Sequence, residues 1–194
     1  MVTSNKIEWK LFRTCHYPYL EPLLNDNKLM RFEHLIEVNN LEDPRADVLS
    51  RKQLWNGLLL RAKAPSLFIP HMDGFAIVEE SDNGLTRTLD FGKFKVNDRV
   101  DFVPMEKLHF HIPAQGEIME SRLEITIEEP FPDRFFLRFI YEDSAAEEGP
   151  EAMYNDFRRS AYKEMDVDSM RLIRQFAAQG RLDDPETDDK PLLS

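Results

Sequence analysis

The sequence predicts one α+β domain in which a curved antiparallel sheet of about seven strands wraps around a long C-terminal helix. Three observations predict it. Short stretches of alternating apolar and polar residues follow one another with tight-turn sequences between them. One long segment of helical period closes the domain. A single helix cannot cover so wide a sheet while it stays flat, so the sheet must curl around the helix.

The elements follow in order. Residues 1–28 carry no sustained pattern and read as an N-terminal extension, although Ile7, Trp9 and Leu11 alternate as a short strand would. Met30, Phe32, His34, Ile36 and Val38 alternate with Arg31, Glu33, Leu35 and Glu37, which predicts the first strand. Asp43-Pro44 marks a loop. Ser50 is placed to cap a helix running through Trp55 to about Lys63, with Leu54, Leu58 and Arg61 on one face. Pro65 opens a short turn or second small helix that Pro70 ends. Strands are then expected over Phe75–Glu80, Leu85–Phe91, Phe94–Val103, Leu108–Ile112, Leu123–Glu129 and Phe135–Glu142. Between the first two of these stands Asp82-Asn83-Gly84, a strong tight-turn sequence. Consecutive strands joined in this way form an antiparallel meander.

A long amphipathic helix is expected from about Glu151 to Gln179. Met153, Phe157, Ala161 and Met165 give it one apolar stripe, and Met170, Ile173 and Ala177 continue it after a shift of phase near Asp166, which predicts a bend. Gly180 suits the C-cap. The domain is thus expected over residues 29–182. Residues 183–194, with Asp183, Asp184, Glu186, Asp188, Asp189, Pro185 and Pro191, read as an acidic, disordered tail.

Composition bounds the function. A net charge of -11 argues against nucleic acid and against an anionic membrane surface. No apolar run reaches the ~20 residues of a membrane span, and the N-terminal residues lack the apolar stretch expected of a secretory signal. Cys15 is the one cysteine, so no internal disulfide forms, which fits a reducing, cytoplasmic setting. Phe occurs 14 times against 7 Gly, enough aromatic area for a thick core or the wall of an apolar pocket.

Several segments resemble the AtaL-like family of the START/Bet v 1-like (SRPBCC) superfamily. They are Met30 to Asn39, Gln53 to Leu58, Val96 to Val100, Leu137 to Glu142 and Ser160 to Asp168 with the Arg-Leu-Ile-Arg that follows. The resemblance covers about Met30 to Leu182 and implies the helix-grip (Bet v 1-like) fold. It implies a cavity between sheet and helix, in a superfamily of lipid and hormone carriers and aromatic polyketide cyclases. No catalytic signature of the family can be laid on this sequence.

The candidate residues are therefore those a cavity would use. Trp55, Phe68 and Phe91 are expected in its apolar wall. Arg138 and Tyr141 lie on a strand whose two faces are both largely apolar, so one of them is expected inside, with Glu128 or Glu142 as an acidic partner for the arginine. The alternative is an ion pair on the outer face. In Asn97-Asp98-Arg99 adjacent opposite charges face opposite ways, and Arg99 faces either the ligand or the rim. Tyr154, Arg158 and Tyr162, spaced by four, flank the stripe of Phe157 and would close a cavity or form a boundary layer.

His109 and His111 share one face of a strand, yet Leu108, Phe110 and Ile112 claim the core face and no third ligand stands nearby, so no metal is expected. No nucleophile elbow, P-loop or dinucleotide fingerprint occurs, and no cofactor is expected. The favoured function is binding of a small apolar or aromatic molecule. The alternatives are a cyclase- or aromatase-like enzyme and a protein-interaction module. The ligand's identity and the oligomeric state stay open.

Overall fold

The computed structural model describes residues 29–42, 48–146 and 152–183. The extension with Ile7, Trp9, Leu11 and Cys15, the Asp43-Pro44 loop and residues 184–194 lie outside them, as does the side chain of Met153.

The elements are β1 (Leu29–Glu37), α1 (Arg51–Lys63), one turn of 3-10 helix (Pro65–Leu67), β2 (Gly74–Ser81), β3 (Gly84–Asp90), β4 (Lys95–Val103), β5 (Lys107–Ile112), β6 (Ser121–Phe131), β7 (Arg134–Ala146) and α2 (Ala152–Ala178). All seven strands form one antiparallel sheet in the order β1-β7-β6-β5-β4-β3-β2. Within the described residues each element expected from the sequence is present, to within a few residues at its ends.

Local chemistry explains the boundaries. Ser50 caps α1 by accepting from the Gln53 backbone N–H, and the Gln53 side chain accepts from the Ser50 N–H, a reciprocal capping box. Asn39, fully buried, donates to the Leu49 and Asp133 carbonyls and accepts from the Leu49 N–H. One side chain thereby ties the chain leaving β1 to the start of α1 and to the β6–β7 hairpin. Gly57 lets α1 and α2 approach closely: an added Cβ would stand 2.6 Å from Ile173 Cγ2.

Strand register divides the sheet into two faces. Phe32, Tyr141, Leu123, Phe110 and Val100 stand side by side across five strands. The next row is His34, Phe139, Ile125, Leu108 and Phe102. These rows form the concave face and, with Leu54, Trp55, Leu58, Met170, Ile173 and Phe176, the main core. A smaller cluster of Leu89, Phe91 and Val96 sits apart, with Phe91 stacked on Phe94.

The long helix departs from the expectation in one respect. Its buried stripe is Asn155, Asp166, Ser169, Met170, Ile173 and Phe176, with Arg158 and Tyr162 half-buried in the same line. Phe157 is 59% exposed, and Ala161 and Met165 flank the stripe. The stripe keeps one phase along an uninterrupted helix, so the predicted shift near Asp166 is absent. The reason is chemical: the first half of the inward face is polar, and a reading that aligns apolar residues alone follows the wrong line.

Candidate functional site

Where the middle of α2 crosses β1 and β7, polar side chains converge on one buried carboxylate. Asp166 is fully buried. Its Oδ1 accepts from Arg61 Nη2 of α1 at 2.9 Å. Its Oδ2 accepts from Tyr141 OH of β7 at 2.7 Å and lies 2.8 Å from His34 Nε2 of β1. A carboxylate oxygen accepts, so in this contact His34 is the donor, through Nε2–H. Four elements thus meet through one side chain. A buried carboxylate without partners would be costly, and these donors replace the water it lost.

Aromatic rings frame the cluster. His34 stacks on Phe139 at 4.9 Å with planes 6° apart. Tyr162 of α2 stacks on Tyr141 at 4.1 Å with planes 1° apart. The Arg61 guanidinium lies 5.8 Å from the Phe139 ring centre. One turn before Tyr162, Arg158 Nη1 donates to Asp143 Oδ2 of β7 at 3.0 Å. Further along the concave face, Arg87 of β3 pairs through two nitrogens with Asp98 of β4 and donates to the Ala62 carbonyl of α1 at 2.6 Å.

Burial and charge set the proton states. Burial pulls the Arg61 pKa down, but the Asp166 charge and hydrogen bond more than offset this, and it stands above the ordinary value. Burial, then the Asp166 charge, pushes the Tyr141 phenol well above its ordinary range. Tyr162 is pushed up to about 12, by burial first and by the Asp143 charge second. Both phenols are therefore neutral hydrogen-bonding groups at physiological pH.

Two polar atoms of the cluster find no hydrogen-bond partner among the described residues: Arg61 Nη1 and His34 Nδ1. Both belong to side chains less than 10% exposed. Buried groups of this kind are normally satisfied, so each is an unmet hydrogen-bonding demand within the cluster. Beside Asp143, at the ends of β6 and β7, a shallow depression of about 190 Å³ is lined by Glu120, Ser121, Arg122, Glu142, Asp143 and Ser144.

Of the residues expected from the sequence, Tyr141, Arg158 and Tyr162 meet at this cluster. Trp55 and Phe68 are core residues, Phe68 edge-on to Phe176, and Phe91 belongs to the separate small cluster. Four residues do not reach the site. Arg138 lies on the outer face between inward-facing Leu137 and Phe139 and pairs with Glu128 at 2.5 Å and with Glu33. Arg99 points outward because its neighbour Asp98 takes the inward place, and it binds Asp101 at 2.7 Å. Tyr154 and Phe157 lie on the exposed side of α2. His109 and His111 face outward beside inward-facing Leu108 and Phe110, and His111 lies 3.1 Å from Glu120. Among the described residues no His, Cys, Asp and Glu cluster suits a metal, and no helix is long and apolar enough to cross a membrane.

Sequence reasoning did not single out His34, Arg61, Asp166 or Asp143. A signal existed for two of them: alternation puts His34 on the face of Phe32 and Ile36, and Arg61 continues the face of Leu54 and Leu58.

Comparison with known proteins agrees with this architecture. The family described as acetylaranotin biosynthesis cluster protein L, AtaL, matches residues 36–180. No curated protein matches the sequence. Among solved structures, the di-domain aromatase/cyclase StfQ from the steffimycin biosynthetic pathway is similar at 13% identity and a TM-score of 0.57, over 77% of this chain and 51% of that one. A second di-domain aromatase/cyclase, BexL from the BE-7585A pathway, is covered to 50%, so the chain spans about half the length of these two proteins. Human STARD10 is similar at 9% identity and a TM-score of 0.56, over 79% of this chain and 67% of that one. A START superfamily protein from Mycobacterium smegmatis is similar at 13% identity and a TM-score of 0.52, over 75% and 98%. At such identities the likeness is one of fold. The family match spans most of the chain, and the chain belongs to the AtaL family, built on the START/Bet v 1-like helix-grip fold.

Proposed function

We propose that the protein binds a small, largely apolar or aromatic molecule between the concave sheet and the first half of α2, with the Asp166 cluster as its polar anchor. The observation that carries this reading is the pair of buried atoms, Arg61 Nη1 and His34 Nδ1, that find no partner among the described residues in a cluster otherwise satisfied. An apolar wall with a few convergent polar groups is the usual composition of a small-molecule site. The fold shared with a START superfamily protein and with aromatase/cyclases supports the same reading.

The neutral dye N-phenyl-1-naphthylamine provides the test. Saturable fluorescence enhancement at one site per chain, weakened at least about fivefold by Tyr162→Ala in a variant of unchanged circular dichroism, supports it. No saturable binding to the wild-type protein, together with no co-purifying small molecule in native mass spectrometry, overturns it.

A second reading has a specific observation in its favour. The buried Tyr162 phenol, pushed up to about 12, and the Arg61 guanidinium are hydrogen-bond donors that stay protonated at neutral pH. Donors held in place in this way polarise a carbonyl, as a cyclase- or aromatase-like reaction on a polyketide-like substrate requires. Turnover lost in Tyr162→Phe with ligand affinity retained would favour the enzyme; binding without turnover across aromatic ketones favours the carrier.

A further inference from the structure

We infer that the ligand group meeting the Asp166 cluster is an uncharged oxygen function, a hydroxyl or ketone on an apolar body, and that carboxylates and phosphates are excluded. The inference rests on the binding role proposed above and specifies the chemistry it takes.

The argument is one of charge balance. Three cations are brought to the concave face by α1, β3 and the first half of α2: Arg61, Arg87 and Arg158. Each is matched to a carboxylate of its own, Asp166, Asp98 and Asp143 respectively. These side chains are at most 13% exposed. With histidine counted as neutral, the lining carries no net charge. Lys63, at the end of α1 near the β2 edge, is likewise matched by Glu80 at 2.7 Å. A buried anion needs a cation to replace its lost hydration, and here every such cation already has its counter-ion.

The surroundings reinforce this. In the depression beside Asp143, Glu120 pairs with Arg122 and Glu142 with Arg31, so its lining adds no cation in excess, and the charge of -11 on the whole chain disfavours anions further. What the cluster does offer is neutral hydrogen bonding. Among the described residues Arg61 Nη1 has no acceptor and His34 Nδ1 no partner. No residue hydrogen-bonded to the Tyr162 hydroxyl is found among the described residues, and its phenol is held neutral. A hydroxyl or ketone oxygen satisfies such groups without adding charge.

The matched probes 2-naphthol and 2-naphthoate test this, each displacing N-phenyl-1-naphthylamine from the full chain at about pH 7.5, where the carboxylate is ionised. The two share one ring system and differ in charge. The expected result is that the alcohol binds at least about tenfold more tightly. The asparagine variants supply the converse. Asp166→Asn leaves Arg61 without a counter-ion and is expected to move the preference towards naphthoate by about tenfold or more. Asp143→Asn, nearer the surface and milder for folding, is expected to do the same through Arg158. Naphthoate binding the wild type as tightly as naphthol overturns this inference and leaves the binding role standing. An unchanged preference in both folded variants overturns it also. Failure of the dye itself to bind overturns the binding role and, with it, this inference.

Discussion

Replacing Asp166 by alanine tests the buried cluster most severely. The change removes the acceptor shared by Arg61, His34 and Tyr141. It leaves a guanidinium whose side chain is 8% exposed, with Nη1 already unpartnered among the described residues, and no replacement carboxylate in the cluster. Removing one partner of a buried ion pair costs roughly 3–5 kcal/mol. The two hydrogen bonds from His34 and Tyr141 are worth about 1 kcal/mol each, part of which water entering the space restores. A net loss of about 4 kcal/mol is expected, and at about 2–4 °C per kcal/mol for a chain of this size Tm falls by about 8–16 °C. The matched control is Asp168→Ala on the same helix. Asp168 pairs with Arg171 in the open, at side-chain exposures of 56% and 74%, and its loss is expected to stay within about 0.5 kcal/mol. Urea denaturation of both variants is the assay. The double variant Arg61→Met/Asp166→Leu, which removes both charges, should cost less than Asp166→Ala alone. If Asp166→Ala is no more destabilising than Asp168→Ala, the carboxylate is not a buried, charge-paired group and the reasoning fails.

Three further outcomes are expected. Gly57→Ala should destabilise the fold by about 1–3 kcal/mol through overpacking against Ile173, although alanine is the better helix former; a neutral or stabilising result in urea would contradict the close approach of α1 and α2. Arg138→Ala should cost less than about 1 kcal/mol and leave dye affinity within about twofold, because its pairs with Glu33 and Glu128 are one-third exposed on the outer face; lost binding would place that face in the site. In an ultraviolet titration of the native protein, Tyr141 and Tyr162 should remain neutral past about pH 10, the ordinary tyrosine value, Tyr162 ionising only near about 12. Their folded pKa values are raised, so the stability they contribute is fully present below about pH 10 and is lost as pH rises towards about 12; tyrosines that all ionise near 10 in the native state would contradict their burial.

The strand meander was legible because each strand alternates and each turn carries its own signal. Leu108, Phe110 and Ile112 against His109 and His111 show how far alternation reaches: it assigns the face correctly without any knowledge of neighbouring strands. The start of α1 was legible for a similar reason, since Ser50 and Gln53 are three residues apart and complete their capping box locally. The inward face of α2 was not. Alignment of apolar residues alone gives Asp166 no place on the inward face and sets a shift of the stripe beside it, because charged side chains are rarely buried. What makes its burial tolerable is Arg61, Tyr141 and His34, the last 132 residues away in sequence. No local window contains that pairing. Phe157 was misplaced by the same logic, since its apparent stripe matched the helical period but not the face that the cluster selects. Arg138 shows a milder case: Phe136 and Ile140 beside it on the outer face are half-buried, so both faces of β7 looked apolar, and register alone reveals the face of Leu137 and Phe139 as the inner one. A local rule is broken where buried groups serve one another across the fold, and such places are where functional sites are found.

The central claim is that a small neutral molecule is held between sheet and helix against the Asp166 cluster, and nitrogen NMR of the histidine side chains tests it most directly. The account predicts that titration with 2-naphthol moves the His34 Nδ1 resonance saturably, with the same midpoint as dye displacement, while His109 and His111 on the outer face stay within error. An unmoved His34 alongside shifted outer-face histidines, or no saturable change at any of them, would contradict it.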